Sequence, residues 1–217
     1  NRARTGKTTS LSVRRQYNTN QIIISGTIAP GRSVKQWVTV QDPTIATGHA
    51  LKGALTAAGI KFAENSKITR KAVVEEAQNI YTNRSRTLKA MFPTYMKLSN
   101  NSMADVFLRT LAVQKRGKGS LSTGAAELKK SLSSLNVATA KMTLLDGSGL
   151  SSKNRVQSNQ ISSLLYEMQK QPTFDTFYAS LPVGGNSNRL IGGTLKNRFT
   201  GTYKNRVYAK TGYIDGV

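Results

Sequence analysis

The opening of the chain alternates. In QYNTNQIIISGTIAPGRSVKQWVTV, Ile and Val trade places with Thr, Ser and Gln until Pro30-Gly31 interrupts them. A period of two in β-branched residues, broken by a turn pair, predicts β-structure over residues 1–41. The period then changes. Asp42-Pro43 predicts a helix start, with Asp42 as N-cap, Pro43 at the first helical position and Gly59 just past the end. Between them Ile45, Ala50, Leu51, Leu55 and Ala58 form a stripe expected to face a core. ITRKAVVEEAQNIY, within residues 66–88, fits helix and strand equally. Residues 87–98 predict a short helix, with Pro93 near its first turn or kinking it. Met103, Phe107, Leu108 and Leu111 recur at helical spacing, which predicts a buried helix from Ser102 onward, preceded by a cap or turn. Ser122-Thr123 is expected to cap AAELKKSLSSL and Ser158 to cap SNQISSLLYEMQ, and PTFDTFYASL predicts one more helix. Gly184-Gly185 and Gly192-Gly193 read as flexible joints before a last strand carrying VYAKTG. Tyr95, Phe107, Tyr166, Phe174 and Phe177 are expected in the core. Strands, then helices, then a strand make an α+β chain rather than an alternating parallel one.

Composition narrows the classes. The 217 residues, 38% hydrophobic, suffice for one good-sized domain. The longest apolar runs, Ile22–Ile24 and Ala72–Val74, are strand-sized and far short of a membrane helix. The absence of cysteine excludes disulfides and thiolate metal sites, and fits a protein working in an oxidising, extracytoplasmic space. The single histidine, His49, falls on a predicted helix away from other site-like residues. It cannot build a His-based metal cluster, a triad built on it alone is not favoured there, and it reads as a helix-surface or interface residue. No metal or cofactor is expected. The chain opens on Asn1, without an initiating Met or a leader-like segment, which suggests a fragment or processed product.

The charge is +22, from 32 Lys and Arg against 10 Asp and Glu, and residues 1–41 and 176–214 hold no acid at all. This predicts attraction to a polyanion. Aromatic residues suited to base stacking are sparse, and no helix-turn-helix, zinc-finger or RNP signature is present, so no specific nucleic-acid partner is expected. Anionic wall polymers and anionic membrane surfaces fit the charge equally well.

Three short segments could carry chemistry. Ser99-Asn100-Asn101 precedes the buried helix; Ser and Asn are preferred N-caps, yet the same tripeptide can offer a hydroxyl and an amide to a cleft. Asp146-Gly147-Ser148-Gly149 reads most simply as a tight turn. Lys210-Thr211-Gly212 sets a cation, a hydroxyl and a bare backbone in a row. That combination suits an anionic peptide terminus laid along an edge strand. Lys153 and Arg155 read as solvated surface.

Taken in order, LSNNSMADVFLRTL, DGSGLS and VYAKTG resemble the second element, a loop and the third element of the serine penicillin-binding proteins. Within them they resemble the low-molecular-mass D-Ala-D-Ala carboxypeptidase/endopeptidase group with inserted domains. WVTVQDPTIATGHALKGALTAAGIKF resembles the return from those inserted domains, and the resemblance runs from about residue 20 to the end. It implies a partial β-lactamase/transpeptidase-like domain, a helical cluster against an antiparallel sheet, over residues 66–217. Residues 1–65 would be the C-terminal part of the inserted β-rich domain or domains with a return helix. One element is absent. No serine here is followed three positions on by lysine, so the family's Ser-x-x-Lys nucleophile is expected upstream of Asn1. The resemblance implies that Ser99 relays a proton toward the leaving amine and that Asn101 binds the substrate amide and orients the nucleophile's lysine. Lys210 would supply positive potential, Thr211 would bind the terminal carboxylate, Gly212 would admit the substrate backbone and Tyr213 would give an oxyanion-hole amide. Tyr213 is bulkier than the small residue expected there. Peptidoglycan stem peptides and β-lactams are the implied partners, the cell envelope the implied location. Two rival readings are a non-catalytic basic module holding wall polymer or nucleic acid, and a degenerate homologue that only binds peptide.

Overall fold

Period-two alternation produces strands only as far as Ile28; the second alternating run, residues 32–40, also expected as β-structure, forms neither helix nor strand because no described segment pairs with it. In the computed structural model, which describes residues 2–214, β1 (Arg2–Thr5), β2 (Ser10–Arg15) and β3 (Ile22–Ile28) form a sheet in the order β1-β3-β2. The β1–β3 pair is parallel, with Arg2 opposite Ser25, and the β2–β3 pair is antiparallel, with Val13 opposite Ile24. Arg15 then fastens the following segment, donating to the Thr19 carbonyl at 2.8 Å and to Gln41 Oε1 at 2.9 Å.

Helix α1 (Pro43–Ala57) starts where Asp42-Pro43 predicts. The Asp42 carboxylate accepts the Ile45 N–H at 3.0 Å and an Arg70 N–H at 2.6 Å, and these two contacts hold its pKa below the usual carboxylate value. The expected core stripe is not buried, and Leu51 stays 59% exposed. Leu51 and Leu55 line a shallow groove with Phe62 and Ile68. His49 lies exposed on this helix. The ambiguous residues 66–87 form neither helix nor strand. The chain divides into two compact units, Asn1–Tyr81 and Thr82–Val217.

The second unit is helical. It contains α2 (Leu88–Leu98), α3 (Asn101–Arg116), α4 (Leu121–Ser134), α5 (Ser158–Met168) and α6 (Phe174–Ser180). Pro93 occupies the interior of α2 rather than its first turn. Caps differ from expectation by a residue or two. Ser120, not Ser122-Thr123, caps α4 through the Thr123 N–H at 3.0 Å, because its backbone is the last extended one before the helix. Gln157, not Ser158, caps α5 in a reciprocal box with Gln160.

The core sits where α3 crosses α4. Ala104, Leu108 and Ala112 line one face of α3 at four-residue spacing and are buried, Leu108 against Gly124 of α4 and Ala104 against Gly147 of the loop after it. Small residues let the two backbones approach closely. Glu127 seals the far end, accepting from Arg116 at 2.7 Å and Lys130 at 2.9 Å, and those bonds lower its pKa. Tyr95 and Phe107 meet edge to face at 5.2 Å, while Tyr166, expected in the core, is 61% exposed with Lys170 over its ring. Among the described residues of this unit, strand pairing is confined to the bridges Thr143–Arg155 and Val183–Tyr208. The predicted last strand is therefore short: it pairs only with Pro182–Gly184, through Gly184 N–H to Val207 and Ala209 N–H to Pro182. No helix among the described residues is long and apolar enough to cross a membrane.

Candidate active site

α2 ends and α3 begins within three residues, which divide two tasks. Asn100 is the cap: its Oδ1 accepts the Met103 N–H at 3.0 Å. That leaves Ser99 and Asn101 to face outward. Ser99 closes α2 in the left-handed conformation, φ 51° and ψ 55°, with its N–H on the Met96 carbonyl. A side chain held there costs about 1–2 kcal/mol, so the surroundings must enforce it. The reversal sets the Ser99 hydroxyl in the path of Lys210, whose Nζ donates to Ser99 Oγ at 2.6 Å and to the Thr211 carbonyl at 2.7 Å. Partial burial pulls the Lys210 pKa below the usual lysine value.

The facing wall is the loop after α4. Asp146 organises it from within: Oδ1 accepts the Gly149 N–H at 2.6 Å and the Asn154 side-chain amide at 3.0 Å, and Oδ2 accepts the Ser151 N–H at 2.8 Å. Asp146 thus acts as the turn's own acceptor, as the tight-turn reading expects. Asp105, one helical turn after Asn101 on α3, ties this loop to the helix. Its Oδ1 accepts the Gly147 and Ser148 N–H groups at 2.9 and 3.0 Å.

The third wall is the stretch ending in Lys210–Tyr213, backed by the 3-10 turn Gly193–Leu195. The glycines read as flexible joints are instead packed. Gly184, Gly185 and Gly192 are buried, and a Cβ on Gly192 or Gly193 would overlap the carbonyl oxygen of Asn186 or Lys97. Lys97 is only 6% exposed, and its Nζ donates to the Leu181 carbonyl at 2.6 Å. Burial lowers its pKa. One side chain thereby joins the end of α2 to the segment that pairs with the residues before Lys210.

The three walls enclose a cleft of about 610 Å³. All six residues singled out in the sequence line it: Ser99, Asn101, Lys210, Thr211, Gly212 and Tyr213. A Cβ on Gly212 would meet nothing within 4 Å, so its bareness leaves room in the cleft rather than relieving an internal clash. The Ser148–Ser151 edge was already marked in the sequence as part of the DGSGLS loop, whereas Thr194, Asn154 and Ser152 were not found as cleft residues, nor Lys97 and Asp105 behind them. Of these, only Asp105 left a trace, sharing a helix face with Asn101 at i, i+4. Among the described lining residues Lys210 carries the only charge and there is no carboxylate, so the cleft suits an anionic ligand. Among the described residues no three His, Cys, Asp or Glu side chains gather as a metal site requires.

Among curated proteins, the chain is 34% identical over 215 residues to a D-alanyl-D-alanine carboxypeptidase of Actinomadura sp., covering 98% of this chain and 40% of that protein. It is 26% identical over 182 residues to the D-alanyl-D-alanine carboxypeptidase DacB of Haemophilus influenzae, covering 82% and 36%. Among solved structures, penicillin binding protein 4 from Haemophilus influenzae, complexed with a novel β-lactam, superposes with a TM-score of 0.72 at 25% identity. That match covers 94% of this chain and 47% of the other. The chain thus spans less than half the length of these relatives. Residues 2–217 match the D-Ala-D-Ala carboxypeptidase 3 (S13) family, and the chain belongs to it.

Proposed function

We propose that the cleft belongs to a serine-type D-Ala-D-Ala carboxypeptidase/endopeptidase that acts on peptidoglycan stem peptides through an acyl-enzyme and is acylated by β-lactams. The observation that carries this reading is the 2.6 Å contact between Lys210 Nζ and Ser99 Oγ, in a cleft also lined by Asn101 and Thr211, in a member of this family. The sequence contains no Ser-x-x-Lys, so the attacking serine and its lysine come from sequence beyond these 217 residues. These residues supply the two other walls, with the loop at 146–152 closing the side.

The family resemblance implies each role, and the group's chemistry suits it. The substrate's terminal carboxylate settles against Lys210 and Thr211, a cation and a hydroxyl donor on adjacent residues of one wall of the cleft. Its backbone runs along the open edge at Gly212, and the Tyr213 N–H receives the developing oxyanion, as the family resemblance implies. Ser99, hydrogen-bonded to a lysine, is a hydroxyl able to pass a proton to the departing D-Ala amine. Asn101 offers an amide to the peptide bond and to the nucleophile's lysine. The protein works outside the cytoplasm, where such peptides are found.

Charge supports a further partner, anionic wall polymer. By register Arg2, Arg4 and Arg14 share one face of the sheet with Ser10, Ser12, Ile23, Ser25 and Thr27, so three exposed guanidinium groups stand among four hydroxyls and one isoleucine without an aromatic residue between them. Salt-sensitive retention on a teichoic-acid resin, lost when the three arginines are changed to Ser, is expected.

The test of the catalytic reading is the intact mass of the full-length protein after incubation with benzylpenicillin. One penicilloyl adduct is expected. Ser99→Ala is expected to slow its formation by roughly 100-fold or more while the protein stays folded. A folded protein that gains no adduct would sink the acyl-enzyme reading and leave a peptide-binding or polymer-binding role.

A further inference from the structure

Thr211 is not alone in the cleft. Its Oγ1 donates to Oγ1 of Thr194 at 2.8 Å, across 17 positions of sequence. Thr194 is exposed and lines the same cleft as Lys210. Its backbone is held on both sides. The preceding Gly192 and Gly193 lie so close to the Asn186 and Lys97 carbonyls that no side chain fits, and the following Leu195 is 1% exposed. A hydroxyl mounted on such a turn keeps its place when a ligand arrives.

The hydrogen inventory then matters. Each threonine hydroxyl has one proton to give. Thr211 spends its proton on Thr194, so the hydroxyl left with a proton for the cleft is that of Thr194. Both threonines line the same cleft as Lys210. Resting on the reading of the cleft as a D-Ala-D-Ala peptidase site, we propose that Thr194 is a further substrate-binding residue. Together with Thr211 it forms a two-hydroxyl fork for the terminal carboxylate: Thr194 donates to one carboxylate oxygen, and Thr211 turns its proton from Thr194 to the other. The 2.8 Å contact is the resting state of that fork. It also saves Thr211 from presenting an unpaired donor to a half-buried wall when the cleft is empty.

The experiment compares two thiolester substrates that differ only in ending as carboxylate or carboxamide, using the full-length protein and the variants Thr194→Val and Thr194→Ser. Val keeps the shape and removes the hydroxyl; Ser keeps the hydroxyl. Loss of one hydrogen bond to a charged group is expected to lower acylation efficiency of Thr194→Val on the carboxylate substrate by roughly 10- to 100-fold. The carboxamide substrate should change by less than about 3-fold, and Thr194→Ser should restore the carboxylate preference. Equal loss on both substrates, or no loss on either, would overturn the assignment, since a merely structural role cannot distinguish the two termini. If the parent protein acylates with neither substrate, the peptidase reading fails by itself. Calorimetric binding of a D-Ala-D-Ala peptide and its C-terminal amide then decides the role of Thr194: a carboxylate preference that survives in Thr194→Val overturns it, and a lost preference upholds it.

Discussion

Replacing a glycine inside a helix by alanine ordinarily stabilises it, by about 1 kcal/mol, because alanine has less backbone freedom to lose. At Gly124 the sign should reverse. This residue is buried where α4 crosses α3, and a Cβ there would overlap the Leu108 carbonyl oxygen, with Leu108 Cγ at 2.8 Å and the carbonyl carbon at 2.9 Å. Carbon atoms pack best at about 3.5–4.0 Å, so the helices must part by roughly 1 Å. Parting them opens the seam at Ala112, which is 0% exposed, and Ala125. Overpacking of this kind costs about 1–3 kcal/mol; taking the upper end and subtracting the helix gain of about 1 kcal/mol leaves a net loss near 2 kcal/mol. Gly53 is the control. It lies within α1, and a Cβ there would meet nothing within 4 Å, so Gly53→Ala should show the ordinary gain. Hydrogen exchange followed by mass spectrometry reads each helix separately. Peptides from α3 and α4 should exchange about 30-fold faster in Gly124→Ala, and α1 somewhat slower in Gly53→Ala. Unchanged or slower exchange in α3 and α4 would refute the claim that a close backbone crossing holds this unit together.

Asp105→Ala removes the acceptor shared by the Gly147 and Ser148 N–H groups and should cost about 2–3 kcal/mol, seen as faster exchange in residues 145–152 and slower acylation by benzylpenicillin; Asp105→Asn, which keeps an acceptor oxygen, should lose less than half of that. For Lys97 the sign with pH is fixed by its lowered pKa. Between that value and the ordinary 10.5 the unfolded chain binds the extra proton, so the fold gains stability as pH rises through this window. Lys97→Met has no proton to lose, and thermal melts from neutral pH to about pH 10.5 should show the wild-type curve rising relative to the variant; parallel curves would contradict the buried position of Lys97. Lys210 has the same direction of shift, so the rate of acylation should fall on the alkaline side below the pH at which an ordinary lysine loses its charge, and Lys210→Met should abolish that limb.

What the sequence reveals and what it hides divide along physical lines. Asp42-Pro43 was legible because a cap and a ring-locked φ act within four residues of themselves. The residues of the cleft were legible through the resemblance that LSNNSMADVFLRTL, DGSGLS and VYAKTG carry together, which no one of these segments carries alone. The division of Ser99-Asn100-Asn101 between cap and cleft was not, because it depends on Ser99 adopting φ 51° at the end of α2. The stripe on α1 misled, since periodicity reports that a side is apolar and not how much of the chain covers it. The glycines at 184–185 and 192–193 misled in the opposite sense: residues that permit motion in isolation are here the only ones small enough to fit beneath their neighbours. Lys97 left no mark at all, for nothing local says that its ammonium ends on the Leu181 carbonyl, 84 residues away.

The same division explains how the cleft stays in register. Ser99 and Lys210 touch across 111 residues, and a contact of that span has no local stiffness to rely on. Its precision has to come from the elements behind it. The Ser99 side is set by α3, whose position depends on the close crossing at Gly124 and on Asp105 grasping the facing loop. The Lys210 side is set by a ladder only a few bonds long, which alone would slip; Lys97 fixes its partner strand at Leu181, and Thr194 holds Thr211. Lys97 also lies two residues before Ser99, so the group that locates the Lys210 wall is carried on the same helical turn as the hydroxyl it must meet. A disturbance of α2 therefore moves both partners together rather than apart. Lowering the pKa of a buried lysine is the energetic cost of that arrangement, and it falls on a residue outside the cleft, where the loss of a proton leaves the charge facing the ligand unchanged.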